Sequence, residues 1–414
     1  MPVPASTRTA ELAVTGGDPV RTTPFAPWPF FADDEIAAVV EVLRSGRVNY
    51  WTGDEGRVFE REYAAAVGAE HAVAVANGTV ALELALRAAG VQPGDEVVVP
   101  ARTFVATASA AVAIGAHPVV ADIDAETQSL TAETVRAVLT PRTRAIVPVH
   151  LAGWPAPMDE LMALADEHSL VVVEDCAQAH GAALGGRPIG TFGHVAAWSF
   201  CQDKILTTAG EGGMVTTDDE AIWRAVWEHK DHGKSYQAVY EREHPPGFRW
   251  LHESFGTNAR MSEVQAALGR RALAKLPAWS ERRRRFAAAL DAGLAGVPGL
   301  RLTVPPDGVR HAYYKYYLFV RPEELAPGWT RDRIMTAVEA EGVPCFQGAC
   351  AEIYREKAFD AEGRPPAPLP VARELGETSL MLLVHPTLDD RDIDDTVEAL
   401  RKVMAAATGA TSRS

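Results

Sequence analysis

Three short stretches carry side chains with chemistry to offer. "CQDKILTTAGEGGMVTT" (201–217) holds Lys204, the first lysine in the chain; before it, arginine supplies every permanent cation. Arginine cannot release its proton near neutral pH and a desolvated lysine can, so an amine here suits nucleophilic or proton-transfer work. A genome-wide preference for arginine is the plain alternative. "LVVVEDCAQAHGA" (170–182) ends a valine run on Glu174 and Asp175. A carboxylate at the carboxyl end of a parallel strand lies on the edge where open α/β sheets bind ligands, although the same residue also caps helices. "NGTVALELAL" (77–86) sets Asn77, Gly78 and Thr79 before an apolar helical pattern. Such a turn offers free backbone N–H groups, the positive end of a helix dipole and a hydroxyl, which makes either a phosphate cradle or an ordinary cap. It is neither a Walker loop nor a GxGxxG fingerprint.

These residues need elements that bring them together. "HAVAVANGT" reads as a strand stopping at the glycine turn, and "VALELALRAAGVQPG" as the helix after it. The alternation continues through "DEVVVP", "HPVVADID", "TRAIVPVHLAG" and "LVVVED", with helical patterns between them such as "TFVATASAAVAIGA" and "MDELMALADEHS". The strand runs are continuously apolar, as strands buried on both faces of a parallel sheet must be. "VAAWSF" and "GGMVTT" flank the lysine segment as further strands. An α/β fold is therefore expected, with all three chemical stretches at the carboxyl edge of one sheet.

Around this unit the chain is punctuated differently. A Pro-rich lead-in, "PFAPWPFF", precedes the helix "ADDEIAAVVEVLRSG"; a polar, aromatic stretch over 229–257 with a Pro-Pro-Gly break reads as a functional loop. A long linking helix is expected over about 261–296 with a kink at Pro277, then strands such as "YKYYLFVRP" and helices such as "TRDRIMTAVEAEG". The division expected is an N-terminal segment 1–30, a large domain 31–270, a smaller C-terminal α+β domain 271–405 and a frayed tail 406–414.

The bulk composition narrows the function classes. The 414 residues carry 40 basic against 55 acidic groups, a net charge of −15, which argues against a nucleic-acid partner. No apolar run reaches the ~18–20 residues of a membrane span, and the start shows no basic region followed by an apolar one, so a cytoplasmic location is expected. The four cysteines, Cys176, Cys201, Cys345 and Cys350, match no zinc template and read as reduced thiols. His229 and His232 have ligand-like spacing but no companions nearby, and no metal is expected. The arginine run 282–285 reads as a solvated helix face.

A phosphate cradle, a strand-end carboxylate and a desolvated lysine form the set that pyridoxal 5'-phosphate requires. Its phosphate takes a helix N-terminus, its pyridine nitrogen an acidic partner, and its aldehyde a lysine Schiff base. The segments "NGTVALELAL", "EDCAQAHGA", "SFCQDKILTTAGEGG" and "GTNARMSEVQAALG", with "LAVTGGDPVR" and "ELGETSLMLLVHPTL" near the ends, resemble the DegT/DnrJ/StrS family of sugar aminotransferases. The resemblance implies the aspartate-aminotransferase-like fold of type I pyridoxal phosphate enzymes, with a mostly parallel seven-stranded sheet. It matches Lys204 to the Schiff-base lysine and proton carrier, and Asp175 to the acid on the pyridine nitrogen. It places Gln178 by the ring hydroxyl, Phe104 over the ring face, and Gly78, Thr79, the Val80 amide and Ser199 around the phosphate. Asn258 matches a residue that reaches the phosphate of a neighbouring subunit, so a homodimer with shared sites is implied.

The activity so implied is transfer of an amine from L-glutamate or L-glutamine, by way of pyridoxamine 5'-phosphate, to the keto group of a nucleotide-activated sugar in amino-sugar, polysaccharide or antibiotic biosynthesis. A keto-cyclitol of the inosose type, as in aminoglycoside assembly, is the neighbouring alternative, and a pyridoxal-phosphate-binding sensor the one from another class. A nicotinamide dehydrogenase lacks its glycine fingerprint here. Lysine rather than histidine at 204 selects transamination over the family's dehydratase branch. Tyr50, Trp51, His180 and His385 are candidates to face the substrate, with core packing or a structural histidine as the competing readings. Ala209 stands where the family pattern leads one to expect glycine.

Overall fold

The computed structural model of the chain describes residues 11–245, 250–361 and 363–409. The first residues of the N-terminal segment, the end of the tail and the centre of the Pro-Pro-Gly break lie outside them. Nine strands come first: β1 (His71–Val75), β2 (Glu96–Pro100), β3 (His117–Ala121), β4 (Thr143–Ile146), β5 (Val171–Asp175), β6 (Ala183–Leu184), β7 (Arg187–Pro188), β8 (Val195–Ser199) and β9 (Gly213–Thr217). Seven of them form one sheet in the order β1-β9-β8-β5-β4-β2-β3. The neighbours from β8 through β3 all pair in parallel, while β9 runs antiparallel to β8 and β1. This is the mostly parallel seven-stranded sheet that the resemblance implied.

Its continuous valine runs follow from burial on both faces. Within β2, Val98 packs with Ala74, Ile146, Val172 and Ala196 on one side; Val97 and Val99 pack with Val73, Val173 and Val195 on the other. Successive side chains point to opposite faces, so both faces select apolar residues, and a polar one such as Glu174 persists where its hydrogen bonds are satisfied.

The long helix is Glu263–Leu294. Ser262 caps it, accepting from the Gln265 N–H while the Gln265 side chain reaches back, and the helix continues through Pro277. It packs against helices Asp33–Ser45 and Glu55–Val67 near its start and against Asp390–Thr408 further on. That last helix runs to Thr408, with Gly409 as its left-handed C-cap, so residues 406–408 are helical rather than frayed.

Five more strands follow: β10 (Leu300–Leu302), β11 (Val309–Arg310), β12 (Tyr316–Val320), β13 (Cys345–Phe346) and β14 (Ser379–Leu382). The order β10-β12-β14-β13 makes a smaller antiparallel sheet, whereas β11 pairs with the β6–β7 hairpin and stitches the C-terminal part to the large one. The functional loop read over 229–257 contains a short helix, Tyr236–Tyr240, and bridges between Asp231 and Asn258 and between Lys234 and His252. The four cysteines are free. Among the described residues no helix is long and apolar enough to cross a membrane.

Candidate active site

The lysine segment leaves β8 at the carboxyl edge of the sheet and returns as β9. Lys204 lines a cavity of about 830 Å³ and is half-buried there, more open than the enclosed amine the sequence led us to expect. Two distant elements hold it. The Trp28 indole N–H donates to the Lys204 carbonyl at 3.0 Å, which ties the Pro-rich lead-in to this loop. The Tyr314 ring lies 5.0 Å from the lysine Nζ, with its hydroxyl donating to Asp203 in a short hydrogen bond. Ala209 has φ of +65°, a left-handed conformation in which its Cβ is unfavourable, which is the physical sense of the glycine expected there.

The glycine turn sits against the same edge. Helix Gly78–Ala88 starts at N-cap Asn77, whose side chain accepts from the Val80 N–H at 3.0 Å. The Val80 amide, expected in the phosphate cradle, is therefore already engaged by Asn77. Gly78 and Thr79 open the helix, so their amides have no acceptor one turn back. A Cβ on Gly78 would lie 2.6 Å from the Ser199 Cβ, and one on Gly213 would lie 2.4 Å from the Asn77 carbonyl oxygen. The glycines after the lysine thus let β9 press on the NGT turn. Gly213→Ala should lower stability by about 1–3 kcal/mol, because backbone must move to admit the methyl. An unchanged urea midpoint would refute that tight contact.

Asp175 ends β5 between these two features. It is 5% exposed; one oxygen accepts from Thr107 Oγ1 at 2.9 Å and the other from the Ala177 N–H at 3.1 Å. Burial pushes its carboxyl above the ordinary range, although these donors and Lys204 work against the rise. Gln178, Phe104 and Ser199 line the same cavity. The Gln178 side-chain oxygen accepts from the Ala152 N–H at 2.6 Å, which leaves its amide nitrogen as the donor open to a ligand. Phe104 is 68% exposed, a large ring left open at the cavity. Thr107, Tyr314 and Trp28 were not singled out in the sequence, although each lies in a stretch read for its structure: Thr107 in a helical pattern, Tyr314 at the start of the strand "YKYYLFVRP" and Trp28 in the Pro-rich lead-in.

Several candidates lie elsewhere. His180 is buried, with Nδ1 at 2.8 Å from the Tyr63 hydroxyl and Nε2 at 2.9 Å from the Ser199 carbonyl, and burial pushes its pKa down to about 4. It is a neutral structural histidine that supports the end of β8, not a residue facing the cavity. His385 lines an adjoining cavity of about 520 Å³, bonded to Thr387 and stacked on Trp28, and burial lowers its pKa to about 3. Tyr50 is buried between Glu60 and Trp227, and Trp51 donates to Asp231, so both belong to packing around helix Glu220–Lys230. Asn258 is exposed and does not line this chain's cavity.

Within the arginine run, Arg283 is 1% exposed rather than solvated; it donates to the Tyr313 and Tyr314 carbonyls and leaves Nε and Nη2 without partners. Among the described residues, His150, Glu174 and Cys176 form one group compact enough for a metal. Their capacity is spent within the protein. His150 Nε2 meets Glu174 at 3.0 Å, its Nδ1 accepts from the Ala156 N–H, and burial raises the Cys176 thiol.

An amine, a buried carboxylate and a helix-opening turn thus meet at one sheet edge, and known proteins share the whole frame. An aminotransferase from Psychrobacter cryohalolentis, solved by X-ray crystallography, is 53% identical with a TM-score of 0.91 over 93% of this chain and 100% of that one. The dTDP-3-amino-3,4,6-trideoxy-alpha-D-glucose transaminase of Streptomyces venezuelae is 38% identical over 88% of this chain and 91% of its own length. The L-glutamine:2-deoxy-scyllo-inosose aminotransferase of Streptomyces kanamyceticus is 36% identical over 96% and 97%. With residues 30–401 matching its profile, the chain belongs to the DegT/DnrJ/EryC1/StrS aminotransferase family.

Proposed function

We propose that this aminotransferase works with pyridoxal 5'-phosphate and moves the amine of L-glutamate or L-glutamine to the keto group of a nucleotide-activated sugar. The observation that carries the reading is the convergence of Lys204, Asp175 and the Gly78–Thr79 turn on one cavity. The donor set fits the cofactor. Asp175 contacts only neutral donors, so its buried carboxyl suits a cationic ring nitrogen. The tight turn that only Gly78 permits presents two open amides and the Thr79 hydroxyl, with Ser199 opposite, to a phosphate.

Pyridoxal phosphate, when bound, supplies an aldehyde able to accept an amine and a ring that withdraws electrons from the adjacent carbon. The chain's own residues do the rest. Lys204, held at its backbone by Trp28 but free at its ammonium, binds the cofactor and then carries a proton between neighbouring atoms as general base and acid. Phe104 would cover one ring face, and the Gln178 amide nitrogen, left open by the bond its oxygen accepts, would donate to the ring hydroxyl. Asn258, exposed and outside the lining of its own cavity, serves the phosphate of a second copy, which makes the working unit a homodimer.

A keto-cyclitol acceptor is the second reading, favoured by the similarity over 96% of the chain to a scyllo-inosose aminotransferase. The test is the visible absorbance of the purified protein before and after glutamate, then glutamine. A cofactor band that one donor bleaches supports the reading and identifies the donor; a band indifferent to both overturns it. Keto-sugars and keto-cyclitols added to the bleached protein then reveal the acceptor by which class restores the band.

A further inference from the structure

We propose that Lys315 binds the carboxylate of the amino donor, an inference that rests on the aminotransferase reading above. The cavity's described lining contains two cations, Lys204 and Lys315. Their ammonium groups lie 5.0 and 4.9 Å from the centroid of one ring, that of Tyr314, and neither forms an ion pair among the described residues. Lys315 also lines the adjoining cavity of about 520 Å³, and Asp203, Phe346 and Leu383 are shared with it, so the second ammonium stands where the two spaces join. Among the described residues three guanidiniums have buried nitrogens without a partner, those of Arg102, Arg260 and Arg283, but none of them lines either cavity.

An amino acid whose nitrogen is at Lys204 carries its carboxylate only two bonds away and needs a cation on that side. Lys315 is the cation available. The charge of the surroundings selects the ligand: Asp203 lines both cavities and Glu339 the adjoining one, so a single carboxylate is tolerated where the multiple charges of a diphosphate would be repelled. Burial lowers the Lys315 ammonium to about 8; Asp203 opposes this and Arg283 and Lys204 add to it. Tyr314, Glu339 and His385 also face this region; Tyr314 is raised by burial and His385 is held neutral. A site built on this charge is present below pH 8 and is lost as pH rises through that value.

The test uses the holoenzyme. The concentration of glutamate or glutamine that half-completes the absorbance change should rise about 10- to 100-fold in Lys315→Met, the value of one charge-assisted hydrogen bond. Calorimetric binding of glutarate, which has the donor's skeleton without an amine, should weaken equally, while binding of uridine diphosphate stays unchanged. Lys315→Arg should retain donor binding and keep it above pH 8, where the natural protein loses it. An unchanged donor midpoint in Lys315→Met, or weakened diphosphate binding with unchanged glutarate binding, would overturn the assignment. Failure of the natural protein to respond to either donor would instead overturn the aminotransferase reading itself, so the two failures are distinguishable.

Discussion

Lys204→Arg should abolish turnover, with kcat falling at least about 10³-fold, although charge, length and fold are kept. The guanidinium cannot lose its proton at any pH at which the protein is folded, so it can neither attack a carbonyl nor relay a proton. Lys204→Ala should fall as far by removing the amine altogether. Stability should barely change in either variant, because the Nζ has no hydrogen bond or ion pair among the described residues and its one close partner is the Tyr314 ring. Steady-state turnover with a keto acceptor, paired with a urea melt, is the measurement. Retention of more than a few per cent of activity in a well-folded Arg variant would sink the assignment of Lys204.

Glu174→Ala should cost about 3–5 kcal/mol and leave little folded protein near 40 °C. Glu174 is fully buried one residue before Asp175, and its two oxygens accept from His150 Nε2 and from the N–H groups of Gly190, Phe192 and Gly193. Removing the carboxylate orphans four donors inside the core that shapes the sheet edge. The same contacts set a pH dependence. Burial by itself would raise the Glu174 carboxyl, yet the hydrogen bonds from His150 and the backbone donors outweigh it and hold the carboxyl below its ordinary value. A carboxyl lowered on folding contributes stability that is complete above its unfolded pKa of about 4.3 and disappears as pH falls through the folded value. The acid limb of a urea-midpoint profile should therefore be flatter in Glu174→Gln than in the natural protein. Identical limbs would show that Glu174 titrates alike in both states.

The parts of the site that lie close together in the chain could be read from the sequence because backbone conformation is local. A glycine turn before an apolar pattern predicts a helix N-terminus, and a valine run ending in acid predicts a strand end; both were found, at Gly78–Ala88 and Val171–Asp175. Side-chain direction is not local in this sense. His180 lies five residues after Asp175 yet turns into the core, since Tyr63 and the Ser199 carbonyl, from other elements, claim both its ring nitrogens. Arg283 belongs to a run of four arginines, but successive helical residues step by about 100°, so one of them had to meet the inner face. Val80 points its amide at the cap of its own helix, a competition that a motif match does not reveal.

By itself the sequence determined the α/β frame, the order of its elements and which three residue groups had chemistry to offer. It did so because periodicity, strand length and turn composition respond to burial and backbone geometry one segment at a time. Only the tertiary structure decided what surrounds the amine. Trp28, Tyr314 and Lys315 come to Lys204 from segments 176 residues before it and over a hundred after it, through a hydrogen bond and a shared ring. Such contacts depend on how two sheets and the N-terminal segment close on one cavity, and no pattern within any of those segments records the closure.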